Sequence, residues 1–144
     1  MKKIIALITL ITLVLTLAFA GVCLAGENGI ALNKAERSVD RLVDALDTGK
    51  NVTYAEVAKG FTPALQQKVP AAGLTALQKQ VAEKFGRLQE IKMLSFERFD
   101  QGDRAVFLAG FSREKVVRMV FVFDKEGKMN DFAFAPFNVA AAGK

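Results

Sequence analysis

The chain has 144 residues, one cysteine and no histidine, with 20 Lys+Arg against 15 Asp+Glu. That length suits one domain able to bury a core without metals or disulfides. The missing histidine removes the commonest general base, the usual zinc ligand and every Ser-His or Cys-His nucleophile arrangement.

Met1-Lys2-Lys3 is a short cationic start, and no charge interrupts Ile4 to Ala25. A positive end, an apolar stretch and a small-residue terminus are the parts of a secretory signal. Ala18-Phe19-Ala20 and Cys23-Leu24-Ala25 both offer small-x-small cleavage sites. Cutting after Ala25 starts the mature chain on the polar, turn-prone Gly26-Glu27-Asn28-Gly29. Residues 1–25 therefore read as a signal and 26–144 as a single exported domain, periplasmic or extracellular. Two other fates stay open. Residues 4–25 are long enough for an uncut inner-membrane anchor, and Cys23 could carry a lipid, although Val22 stands where lipoprotein signals place a small residue. Cleavage takes away Lys2, Lys3 and the cysteine, leaving 18 Lys+Arg against 15 Asp+Glu. So mild a balance does not call for nucleic acid.

Past the leader, the apolar period is helical up to Gly86. Leu32, Ala35, Val39, Leu42, Val43 and Leu46 fall on one face of a first helix. Asn33 with Glu36 suggests its capped start, and Gly49 a left-handed stop. Thr53-Tyr54-Ala55-Glu56 is a capping box, with Val52 and Val57 as the staple around it. Gly60 interrupts that short helix, Thr62-Pro63 restarts a turn, and Pro70 ends it. Leu74, Leu77, Val81 and Phe85 trace a third amphipathic helix, stopped at Gly86.

Beyond Gly86 the period becomes two. Strands are expected at Leu88–Phe99, Arg104–Ser112, Val116–Phe123 and Met129–Ala135, with turns at Asp100–Asp103 and Asp124–Gly127. The apolar phase slips between Met93 and Leu94, which predicts a β-bulge there. A four-residue loop at Asp124–Gly127 would set Phe123 opposite Lys128, Met119 opposite Phe132 and Val117 opposite Phe134. Val117, Met119, Phe121, Phe132 and Phe134 then share the face toward the helices. Val116, Arg118, Val120, Val122, Met129, Asp131 and Ala133 take the other face, with Arg118 and Asp131 as diagonal partners. The expectation is α+β: three N-terminal helices packed on a curved four-stranded antiparallel sheet.

Phe61-Thr62-Pro63-Ala64-Leu65, Lys84-Phe85-Gly86 and the run Phe123-Asp124-Lys125-Glu126-Gly127-Lys128-Met129, continuing into Phe132-Ala133-Phe134-Ala135-Pro136, carry a resemblance. In order and spacing they resemble an exported bacterial domain family of unknown function in the nuclear-transport-factor-2-like superfamily, over residues 34–137. The resemblance implies a cone-like fold with a pocket between helices and sheet. It carries over no catalytic residues.

Ten phenylalanines lie between Phe85 and Phe137. Packing explains most of them; the sharper expectation is that Phe107, Phe111, Met119, Phe121, Phe132 and Phe134 line a cavity for a small apolar ligand. Val116, Arg118, Val120, Val122 and Asp131 are expected to form an interface, for a partner protein or a homodimer, since exposed apolar patches mark interaction sites. No cofactor or metal is expected: there is no calcium-loop spacing and no phosphate-cradling glycine run. The aromatics are not interleaved with cations as a nucleic-acid platform requires. Binding is therefore expected rather than catalysis. The alternative is a small acid–base enzyme resembling ketosteroid isomerase, for which Tyr54 and a carboxylate, Glu97 or Asp131, are the available groups.

Overall fold

The structure, a computed structural model, describes residues 29–137. The signal with its cuts after Ala20 or Ala25, the anchor over 4–25, and Cys23 lie outside the described residues. The chain divides between Asn33 and Lys34; the following description concerns the unit from Lys34 onward. Among the described residues no helix is long and apolar enough to cross a membrane.

The architecture is α+β, with helical segments leading into a four-stranded antiparallel sheet of order β1-β2-β3-β4. Helix α1 occupies residues 34–46, and its Val39, Leu42, Val43 and Leu46 are buried as their spacing requires. Residues 29–33 are already helical, so Asn33 does not cap a helix start. Gly49 also differs from expectation: its φ is not positive. Asp47 ends the helix instead, its Oδ1 accepting from the Gly49 N–H at 2.9 Å in an Asx turn.

Helix α2 (Tyr54–Ala58) begins with both halves of the capping box. The Glu56 N–H donates to Thr53 Oγ1 at 3.4 Å, and the Thr53 N–H donates to Glu56 Oε2 at 2.8 Å. Helix α3 (Pro63–Lys68) starts at Thr62, whose hydroxyl accepts from the Leu65 N–H. Gly60 and Phe61 separate these two short helices because Phe61 turns inward and bridges Met129 in parallel. Helix α4 (Ala71–Lys84) stops at Gly86, whose φ of 85° permits a left-handed close with its N–H on the Ala82 carbonyl.

Strands β1 (Leu88–Phe99) and β2 (Gly102–Phe111) form a hairpin, and the register shifts between Met93 and Ser95. The bulge implied by the broken apolar phase is therefore present. It returns Ile91, Met93 and Phe96 to the core side and leaves Leu94 exposed.

Strands β3 (Val117–Phe123) and β4 (Met129–Pro136) correct the expected register by two residues. Phe121 faces Phe132, Met119 faces Phe134, and Val117 faces Pro136. Two local causes account for the shift. Asp124 and Lys128 bond to each other at 2.8 Å, so the loop holds three residues rather than four. The register then slips again where Asn130 intervenes between Met129 and Asp131. The two steps preserve parity, so Phe132 and Phe134 still pack against the core. The extra residue also turns Met129 inward, where it is fully buried, rather than onto the outer face.

The capping box couples α2 to acidity. Two hydrogen bonds from Thr53, backbone first and then side chain, hold the Glu56 carboxyl below its ordinary value of 4.5. A depressed folded pKa stabilises above the unfolded value, and that stabilisation disappears as pH falls through the folded value. Acid titration should therefore weaken folding below pH 4.5, and Glu56→Gln should flatten that dependence in urea melts compared across pH.

Candidate functional site

The open apolar feature of the described residues is a groove between α4 and β4. Helical spacing puts Leu77, Gln80, Val81 and Lys84 on the side of α4 that borders it. Strand alternation sends Phe132 and Phe134 toward them. These two rings stack with centroids 5.4 Å apart and stay half-buried. Phe61 supports Phe132 from the core at 6.4 Å, and Phe121 meets Phe134 edge-on at 5.9 Å.

The groove has two adjoining parts. One, of about 200 Å³, lies between Val81, Lys84, Phe85 and Phe134. The other, of about 290 Å³, runs past Leu65, Val69 and Gly73 to Lys68 and Asp131. Leu77, Gln80 and Phe132 border both. A separate recess of about 40 Å³ touches Phe111 and Met119 beneath α1 and α4. It has room for water and not for an organic molecule.

The six sequence-predicted ligand residues are thereby divided. Phe132 and Phe134 floor the groove. Phe111 and Met119 are buried and border only the small recess. Phe107 and Phe121 are buried against each other, edge to face at 5.6 Å, and form solid core. Three polar side chains of the groove, Gln80, Lys84 and Lys68, are not among the site residues expected from sequence. Helical spacing contained the signal for two of them: Gln80 and Lys84 stand three and seven residues from Leu77, on its side of the helix. Lys68 depended on tertiary placement.

On the outer sheet face Val116 and Val120 are half-buried, while Arg118 and Val122 are exposed. The expected Arg118–Asp131 pair does not form. The true register sets Arg118 opposite Ala135 and Asp131 opposite Val122. From this edge position the Asp131 carboxylate turns to Lys68 on α3, 3.1 Å away, rather than standing clear of the helices. Both side chains are exposed, and such a pair contributes under about 1 kcal/mol. Arg104 bonds Glu97 at 2.7 Å and lies over the Phe99 ring at 5.4 Å.

The groups of the acid–base alternative are each engaged elsewhere. The Tyr54 hydroxyl donates to the Val69 carbonyl at 2.7 Å, closing the C-terminal end of α3. Glu97 is held by Arg104 and Asp131 by Lys68. Asp40 has a carboxyl raised above its ordinary value, first by burial and then by Asp44 one turn on, with Lys50 opposing. That shift belongs to the surface of α1, and Asp40 borders neither part of the groove. Among the described residues no group of three His, Cys, Asp or Glu side chains could hold a metal ion. The groove can therefore enclose an apolar body, with the Lys68–Asp131 ion pair at one end.

No family model, no curated protein and no solved structure matches this chain.

Tyr54→Phe should lower stability by about 1 kcal/mol through loss of one helix-end hydrogen bond. Urea denaturation measures that loss.

Proposed function

We propose that this chain is an exported, non-catalytic binding domain that holds a small apolar ligand between α4 and β4. The stacked Phe132–Phe134 pair carries the reading. Two adjacent phenyl rings remain half-open beside Leu77, although the inward rows of β2 and β3 are closed. Concave apolar surface of a few hundred Å³ is the usual form of a small-molecule site. The element order, helical segments followed by a four-stranded antiparallel meander, supports a nuclear-transport-factor-2-like cone with three N-terminal helices. In that scheme α2 and α3 count as one interrupted helix, and the groove is the mouth of the cone. Export follows from the cationic start and apolar leader. The ketosteroid-isomerase-like alternative lacks an assembled carboxylate–tyrosine pair. Native mass spectrometry of the protein recovered from the periplasm should show a small organic adduct, and Leu77→Lys should remove it. An adduct-free wild-type protein that also ignores apolar probes would overturn the reading.

A second reading concerns the outer sheet face, where a second copy of the chain or a partner protein would dock. The exposures there favour it: Leu94 is 61% exposed, Phe99 55% and Val122 36%. Apolar surface gathered on one sheet face is typical of an interface. Sedimentation at high micromolar concentration should give a dimer, and Val120→Lys with Val122→Lys should give a folded monomer. A monomeric wild-type chain would remove the homodimer.

A further inference from the structure

The groove has a chemical polarity that narrows its occupant, on the reading that it is a binding site. We infer that the ligand is an amphiphile with one anionic group, its apolar body on Leu77, Phe132 and Phe134 and its charge at Lys84.

The free edge of β4 decides first against an extended peptide. Strand addition needs a row of outward backbone donors and acceptors. The N–H of Phe137 donates to the carbonyl of Val116, just before β3, so in this register the amides of Phe132 and Phe134 point outward. The Phe132 N–H is already bonded to Asp131 Oδ1 at 2.9 Å, and Lys68 holds that carboxylate in place. Pro136, next in the outward series, has no N–H. At the other end the Met129 N–H donates to Gly60 and its carbonyl accepts from Thr62. Only Phe134 keeps an open outward amide in this series, too little for a ladder. An apolar groove beside a blocked edge suits a small molecule.

Charge then orients that molecule. The groove has a lysine at each end, and the two differ. Lys68 is neutralised by Asp131. Lys84 borders the part floored by Phe134 and has no ion-pair partner among the described residues. Gln80 stands one helical turn before Lys84 on the same side, adding an amide donor next to the ammonium. One unpaired cation and one amide beside an apolar floor complement a single carboxylate on an apolar body.

Decanoate and decanol, below micellar concentration, test this on the full chain by calorimetric titration, with amide NMR shifts to locate the site. Decanoate should bind more tightly than decanol, with shifts centred on Ala133 and Phe134. Lys84→Gln should weaken decanoate about fivefold to tenfold and leave decanol unchanged. Lys79→Gln, on the same helix and outside the groove, should alter neither. Equal binding of acid and alcohol, indifferent to Lys84, would overturn the anionic head while leaving the groove as an apolar site. Shifts on the outer sheet around Val120, or no binding of either probe, would overturn the groove itself.

Discussion

The inward row of β3 is the constraint on which the rest of the molecule depends. Val117, Met119, Phe121 and Phe123 are each no more than 2% exposed. A central strand with one wholly apolar face needs cover from helices above and neighbours on both sides. Leu42, Val43, Val57, Leu65 and Val81 supply that cover from the helices in one continuous buried cluster. On the sheet, Phe107 and Phe134 flank the row from β2 and β4, directly opposite Met119. The β1 bulge and the Asn130 insertion serve the same demand, since each returns an apolar side chain to this face.

Cover is complete over β3 and thins out toward β4. Because β4 is an edge strand, its rings meet core on one side and the groove on the other. The edge itself is closed by local chemistry. Met129 is bonded to Gly60 and Thr62, Asp131 occupies the Phe132 amide, and Pro136 brings no donor. Lys34 reaches from α1 to the Glu126 carbonyl at 2.6 Å and pins the neighbouring turn. The strand thus leaves its rings open toward the groove while offering little backbone to another chain.

How far the sequence can be read differs from element to element. The capping box at Thr53, the stop at Gly86 and the bulge after Met93 are legible because each is set by residues a few positions apart. The last hairpin is less so. Asp124 accepts from the N–H groups of both Glu126 and Lys128, tightening the loop to three residues, which its composition did not distinguish from four. The Asn130 insertion depends on Thr62, 68 residues away, whose hydroxyl bonds the Asn130 side chain at 3.1 Å. These two one-residue departures cancel in parity. For that reason the placement of Phe132 and Phe134 on the helix side survived a wrong register, whereas the Arg118–Asp131 pairing did not.

Local periodicity by itself determined the order of helices and strands, the inward side of β3 and the apolar side of α4. Those properties need only the 3.6- and 2-residue repeats and the turn residues between them. The tertiary structure alone decided which phenylalanines are solid core and which remain open, because that depends on where cover ends. It also decided that Asp131 belongs to Lys68 and leaves Lys84 without an ion-pair partner among the described residues. Charge pairing between distant segments is fixed by register and docking, to which a repeat along the chain is blind.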